Sequence, residues 1–215
     1  MFPAPLPDFP LQSVLWPHVI PILDQGNVGS CTGNATVDCL GTMPLAVREV
    51  TANLDEDLAL KIYSAAEDID GDGPYPPNDN GSSGLSVAQA AQAMGLVSGY
   101  QHAFGIEHTL QALMGGPVMI GIPWFDSMMT PDGTGLIQVP NDPSVQPVGG
   151  HEICVNQCVL DTAAPGGGWL WIINSWGAGW GINGTARISV ADMDTLLQQD
   201  GDCVQLVAPV VPAVQ

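Results

Sequence analysis

Apolar residues recur at helical spacing through the first half of the chain and fall into short runs through the second. Stretches near 31–43, 55–67, 86–95 and 106–116 each show the three-to-four-residue recurrence of a helix with one buried face. Acidic residues open the 55–67 stretch, where the helix macrodipole favours them, and Gly95 is placed as a stop. Ahead of the first helix, D-Q-G-N-V-G-S-C packs turn formers together, so a tight turn delivers Cys31 to a helix start. From Gly116 onward the runs PVMIGIPW, GLIQV, HEICVNQCVL, GWLWIIN, GTARISV and CVQLVAPVV are separated by turn residues and read as strands. Helices first and strands second describe an α+β protein. The expected division is a helical lobe over 12–108, a β lobe over 109–215 and an extended, proline-rich arm over 1–11, with a cleft between the lobes.

A length of 215 residues and 46% hydrophobic content suffice for a sizeable core. The first twenty residues lack a basic start and carry prolines throughout, so neither a secretory signal nor a membrane span is expected, and the product is read as soluble. Charge narrows the partners. Twenty-two acids face three bases, Lys61, Arg48 and Arg187, for a formal net charge of −19. Such a surface repels nucleic acid and anionic lipid, leaving solubility, salt adaptation or attraction of cationic substrates and partner proteins as its uses.

Five cysteines at 31, 39, 154, 158 and 203 show no C-x-x-C spacing. Cys154 and Cys158 share a strand face but stand about 13 Å apart at ~3.3 Å per residue, too far for a disulfide. Reduced, buried thiols are expected for all but Cys31. A thiol becomes a nucleophile as thiolate, which a helix N-terminus or a neighbouring imidazolium stabilises. Cys31 has the first from its position. V-G-S-C-T matches the C-G-[SA]-C-[WY] pattern at Gly29, Ser30 and Cys31, and His151 and Asn174 follow 120 and 143 residues later, against about 130 to 150 for that pattern. His18, His102 and His108 have no comparable context.

The segment N-S-W-G-A-G-W-G-I-N-G-T-A-R-I-S at 174–189 resembles a block of the papain-like cysteine peptidases at every fixed position. The resemblance covers roughly 20–190 and takes in G-S-S-G at 81–84 and G-P-V-M-I-G-I at 116–122. It implies a papain-like two-lobe fold and peptide-bond hydrolysis through a Cys31 thioester. It assigns Cys31 as nucleophile, His151 as base, Asn174 as orienter of the imidazole, Trp176 as shield of their bond and Gln25 as oxyanion donor beside the Cys31 N–H. Gly84 is similar to a glycine of the substrate cleft. The chain more closely resembles the short, pro-region-less forms of actinobacteria and their bacteriophages, through G-G-H-E and Y-P-P-N-D-x-G-S-S-G-type stretches. Only 24 residues precede Gln25, too few for the inhibitory pro-region of other relatives.

Three departures from the family pattern carry consequences. Val28 stands where many relatives have a disulfide cysteine, which removes a staple. Thr32 replaces an aromatic beside the nucleophile and opens the leaving-group side. Glu152 follows the histidine where a small residue is common, bordering the pocket for the second residue before the cut. Strand alternation aims Glu152 away from Cys31. Its charge is expected to favour Lys or Arg at that substrate position.

No cofactor is implied, although Asp68, Asp70, Asp72 and Asp79 mimic a calcium loop in D-I-D-G-D-G. The last ligand position is Asp rather than Glu, and Pro74, Pro76 and Pro77 intrude. Two other functions remain open: a papain-like scaffold serving as a structural or binding component, for example among other virion proteins, and a cell-wall peptide hydrolase. The expected partner of an enzyme is a protein or peptide substrate.

Overall fold

A computed structural model describes residues 10–46 and 53–208. Most of the expected N-terminal arm, Arg48 and the end of the last expected strand lie outside these residues. Four helices occupy the stretches whose periodicity announced them: α1 Cys31–Leu40, α2 Glu56–Asp70, α3 Gly84–Ala93 and α4 Gly105–Gly115. Local chemistry fixes the starts of α2 and α3, where the Asp55 side chain accepts the Leu58 N–H and Ser83 accepts that of Ser86. Gly71, at φ +89°, closes α2 in the left-handed conformation that suits glycine.

The strands are β1 Val14–Leu15, β2 Gly99–His102, β3 Val118–Trp124, β4 Gly149–Leu160, β5 Gly168–Ile173, β6 Thr185–Ser189 and β7 Asp202–Val207. They form one antiparallel sheet in the order β2-β7-β3-β4-β5-β6, with β1 pairing the far end of β4. Alternation along the central strands builds two cores. Ile120, Ile122, Ile153 and Val155 face α4 and a fifth helix, α5 (Val190–Leu197), whereas Met119, Cys154 and Val204 face α1, α2 and α3. The architecture is thus the expected α+β one, with helices packed on an open antiparallel sheet.

Several elements differ from the sequence pattern. GLIQV forms no strand; Leu136 makes one isolated bridge to Arg187, and its neighbours hydrogen-bond that single residue of β6. GTARISV stops as a strand at Ser189 because that side chain accepts the Asp192 N–H and starts α5. β2 was hidden because its half-buried residues G-Y-Q-H show no apolar alternation. The segment that follows the expected arm is docked, with Trp16 N–H bonded to Asn156 O and Val19 N–H to Gly41 O.

α1 is buried from Thr32 to Leu40. A side chain at Gly33 would collide with the Ala59 carbonyl, so glycine there lets α1 and α2 touch backbone to backbone. Asn34 on α1 finds its partner inside: its amide donates to both Glu56 carboxylate oxygens at 2.8 and 2.9 Å. All five cysteines are free, and Cys39 on α1 lies 3.3 Å from Cys154 on β4, sulfur to sulfur.

Candidate active site

Cys31 opens α1, where the unbonded N–H groups of the first turn and the helix dipole favour a negative sulfur. The turn ahead of it is pinned to the β side of the molecule: Gln25 N–H donates to Ser175 O at 2.9 Å, and Ser175 Oγ donates to Gln25 Oε1 at 2.6 Å. Gln25 Nε2 gives one proton to Val28 O at 2.8 Å and has a second to offer the cleft.

Opposite, the start of β4 carries His151 and the end of β5 leads into Asn174. The Asn174 Oδ1 accepts the Ser175 N–H at 2.9 Å, which identifies it as the oxygen. His151 Nε2, 2.7 Å from that same oxygen, must therefore be the donor, and Nδ1 is left with its lone pair. This is the tautomer a proton acceptor needs. The imidazole is 7% exposed and held between two indoles: Trp176 at 4.8 Å between ring centroids and 32° between planes, Trp124 at 4.8 Å and 72°. Trp180 backs both indoles. Water is kept from the His151–Asn174 bond by this aromatic wall, which strengthens it.

Gln25, Cys31, His151 and Trp176 line one cleft of about 930 Å³, together with Gly84, Glu152, Asp79 and Asp202. Loss of hydration pushes the Cys31 thiol up to about 11 and His151 down to about 4, the Asn174 bond partly opposing the latter. A backbone hydrogen bond from Glu152 lowers the thiol while the Glu152 charge raises it. Taken singly, each group resists ionisation. A proton moved from sulfur to ring would leave opposite charges in one cleft, each offsetting part of the other's desolvation.

Glu152 is 4% exposed, and its Oε1 has no hydrogen-bond partner. On the adjoining strands Asp202, Gly121 and Glu152 stand side by side in register. Because Gly121 has no side chain, the two carboxylates converge over it, both within 2.6 Å of where its Cβ would be. Gly84 approaches from α3, with a Cβ there only 2.6 Å from Asp202 Oδ2. Burial raises the Glu152 carboxyl well above its ordinary range, the Asp202 charge raising it further, and burial also raises Asp202, partly opposed by the charge of His102. Neither described base serves them: Arg187 lies over the Trp169 ring, and Lys61 borders a separate groove.

The calcium-like aspartates are engaged otherwise in the structure. α2 continues to Asp70, whose carboxylate accepts the Ser82 and Ser86 hydroxyls, while Asp79 is engaged by Tyr63 and Gly29. Among the described residues no group of three or more His, Cys, Asp or Glu is placed to hold a metal ion. Trp124, Ser175 and Asp202 are site residues absent from the sequence reading. Ser175 lies within the N-S-W-G block, whereas strand register brings in the other two.

No family model matches the chain. An uncharacterised peptidase C1-like protein of Acanthamoeba polyphaga mimivirus is 34% identical over 82 residues, which are 37% of this chain and 24% of that protein. The match thus spans about a quarter of the relative. Among solved structures, xylellain, a cysteine protease from Xylella fastidiosa, superposes at TM-score 0.67 with 18% identity, over 93% of this chain and 87% of that one. Digestive procathepsin L 3 of the Tenebrio molitor larval midgut gives 0.66 and 17% over 96% and 73%. A Carica candamarcensis cysteine protease gives 0.60 and 16% over 89% and 94%. The chain therefore has the papain-like fold of the cysteine proteases.

Proposed function

We propose that the chain is a cysteine peptidase acting through a Cys31 thioester. The observation that carries this reading is the fixed Asn174–His151 pair, with Nδ1 unengaged, sharing a cleft with a cysteine at a helix N-terminus. In the mechanism the Cys31 thiolate attacks the peptide carbonyl, and the oxyanion meets the Cys31 N–H and the free Gln25 Nε2 proton. The His151 imidazolium protonates the leaving amine, and water, giving its proton to His151, releases the acid and restores the thiol.

The substrate reading is a chain with Lys or Arg two residues before the cut, received by Glu152 and Asp202. Its support is a buried carboxylate oxygen without a partner in a cleft whose nearby acids have no described Lys or Arg. The partner is thus a protein or peptide. Among the described residues no helix is long and apolar enough to cross a membrane. The narrower lineage, short forms of actinobacteria and their bacteriophages with a cytoplasmic or virion location, is supported by G-G-H-E at 149–152 and Y-P-P-N-D at 75–79. Western blotting of purified particles against host cytosol tests the location.

The decisive experiment is treatment with a cysteine-directed epoxide followed by mass spectrometry. One adduct, on Cys31 and on none of the other four thiols, is expected. An unmodified Cys31 overturns the enzyme reading and favours a scaffold.

A further inference from the structure

The turn that presents Cys31 is held by a distant stretch of its own lobe. Gly29 N–H, two residues before the nucleophile, donates to Asp79 Oδ1 at 2.9 Å, although 50 positions separate the two residues. The same oxygen accepts the Tyr63 hydroxyl proton at 2.7 Å. Tyr63, fully buried on α2, also accepts the Gly81 N–H at 3.0 Å. Glu67, one turn further along α2 and also fully buried, lies 3.0 Å from that hydroxyl and accepts the Asn80 N–H at 2.6 Å. A single unit of α2, the 79–81 loop and the pre-nucleophile turn results. It also needs glycine at 29, because a Cβ there would come 2.8 Å from Asp79 Oδ1.

The geometry points to Asp79 as the positioning residue of the nucleophile, resting on the peptidase reading above. Two amide-type groups serve the oxyanion, Gln25 at one end of this turn and the Cys31 N–H at the other. Their separation depends on the path through Val28 and Gly29. Asp79 fixes that path with two hydrogen bonds to one oxygen, at the place where Val28 withholds the disulfide cysteine of many relatives. A carboxylate acceptor makes these bonds stronger than neutral ones. Unlike a disulfide, the clamp is indifferent to reductant.

Asp79 is exposed enough that truncation spares the fold, which a thermal melt of Asp79→Ala verifies. In that variant Gly29 amide exchange is expected to accelerate, and Cys31 alkylation by iodoacetamide to slow by about tenfold or more. kcat should fall by a like factor with KM within about threefold, as misplacement of a reacting group demands. Asp79→Asn, whose Oδ1 still accepts both donors, is expected to keep most of the wild-type rate. Gly29→Ala, which displaces the carboxylate from the other side, is expected to reproduce Asp79→Ala. Wild-type exchange at Gly29 and wild-type alkylation in Asp79→Ala would overturn the proposal, as would an Asp79→Asn variant no better than Ala. Exchange at Gly29 reads the clamp without any substrate. Hydrolysis that survives in Cys31→Ala would instead sink the peptidase reading and leave the clamp standing.

Discussion

His151 and Glu152 are neighbours in sequence and opposites in environment. His151 faces the side of the sheet where Trp124, Trp176 and Trp180 gather, and its hydrogen bond to Asn174 is complete and dry. Glu152 faces the helices α1 and α3, crowded against Asp202 over Gly121 and short of a partner. The pleat of one strand sorts two jobs onto two faces. A ring whose own orienting bond is made suits a group that must keep one orientation through a reaction, although Asn174 Nδ2 and Trp124 Nε1 beside it are buried without partners. An unsatisfied carboxylate suits a group whose partner arrives from outside.

The comparison breaks most severely at the nucleophile: Cys31→Ala is expected to abolish peptide hydrolysis, whereas Cys39→Ala, buried and far along α1, should retain it. Equal loss in both, measured on a denatured-protein substrate, would remove Cys31 from its role. On the His151 face, Asn174→Ala should lower kcat by about 100-fold while KM changes little, because the lost bond orients the ring in the transition state. A change confined to KM would make Asn174 a wall of the cleft.

The Glu152 face is tested by selectivity. Peptide libraries on wild type should show enrichment of Lys and Arg two residues before the cut, weakening as salt rises, and Glu152→Gln should reduce the preference by about tenfold. An unchanged profile would leave Glu152 structural. The smallest expected effect is on stability. Burial holds the folded-state Glu152 carboxyl above its ordinary value, so the folded protein keeps a proton there that the unfolded chain gives up. Stability is then intact below the unfolded value and falls as pH rises toward the folded one. Glu152→Gln should accordingly raise the Tm at pH 7 by about 3 °C, for a gain of ~1 kcal/mol, and lose that advantage below about pH 4.5. A gain that persists at pH 4 would place its origin elsewhere.

Helices α1 to α4, and the four residues Gln25, Cys31, His151 and Asn174 that the structure gathers at the cleft, were legible because their signals are local: a periodic face, a turn-rich lead and two short motifs. Asp202 was not. It is 50 positions from Glu152, and only the register of β7 on β3 and β3 on β4 brings them together, a relation that no single stretch of sequence encodes. Trp124 escaped for the same reason, being the last residue of a strand that reads as ordinary core. α5 was missed because eight residues in a β-rich region give too little periodicity, although Ser189 and Asp192 spell a helix start once the partner atoms are seen. The calcium-like aspartates could not be placed from spacing alone, which does not show that α2 runs through two of them.

The indoles around His151 also make the site observable. An imidazolium quenches indole emission at contact distances, and two of the six tryptophans have ring centroids 4.8 Å from the His151 ring. Intrinsic fluorescence is therefore an optical report on the charge of that ring, available without label or substrate. Emission should drop as His151 takes up a proton, near pH 4 once alkylation of Cys31 leaves the sulfur neutral, and at a different midpoint while the sulfur can give its proton to the ring.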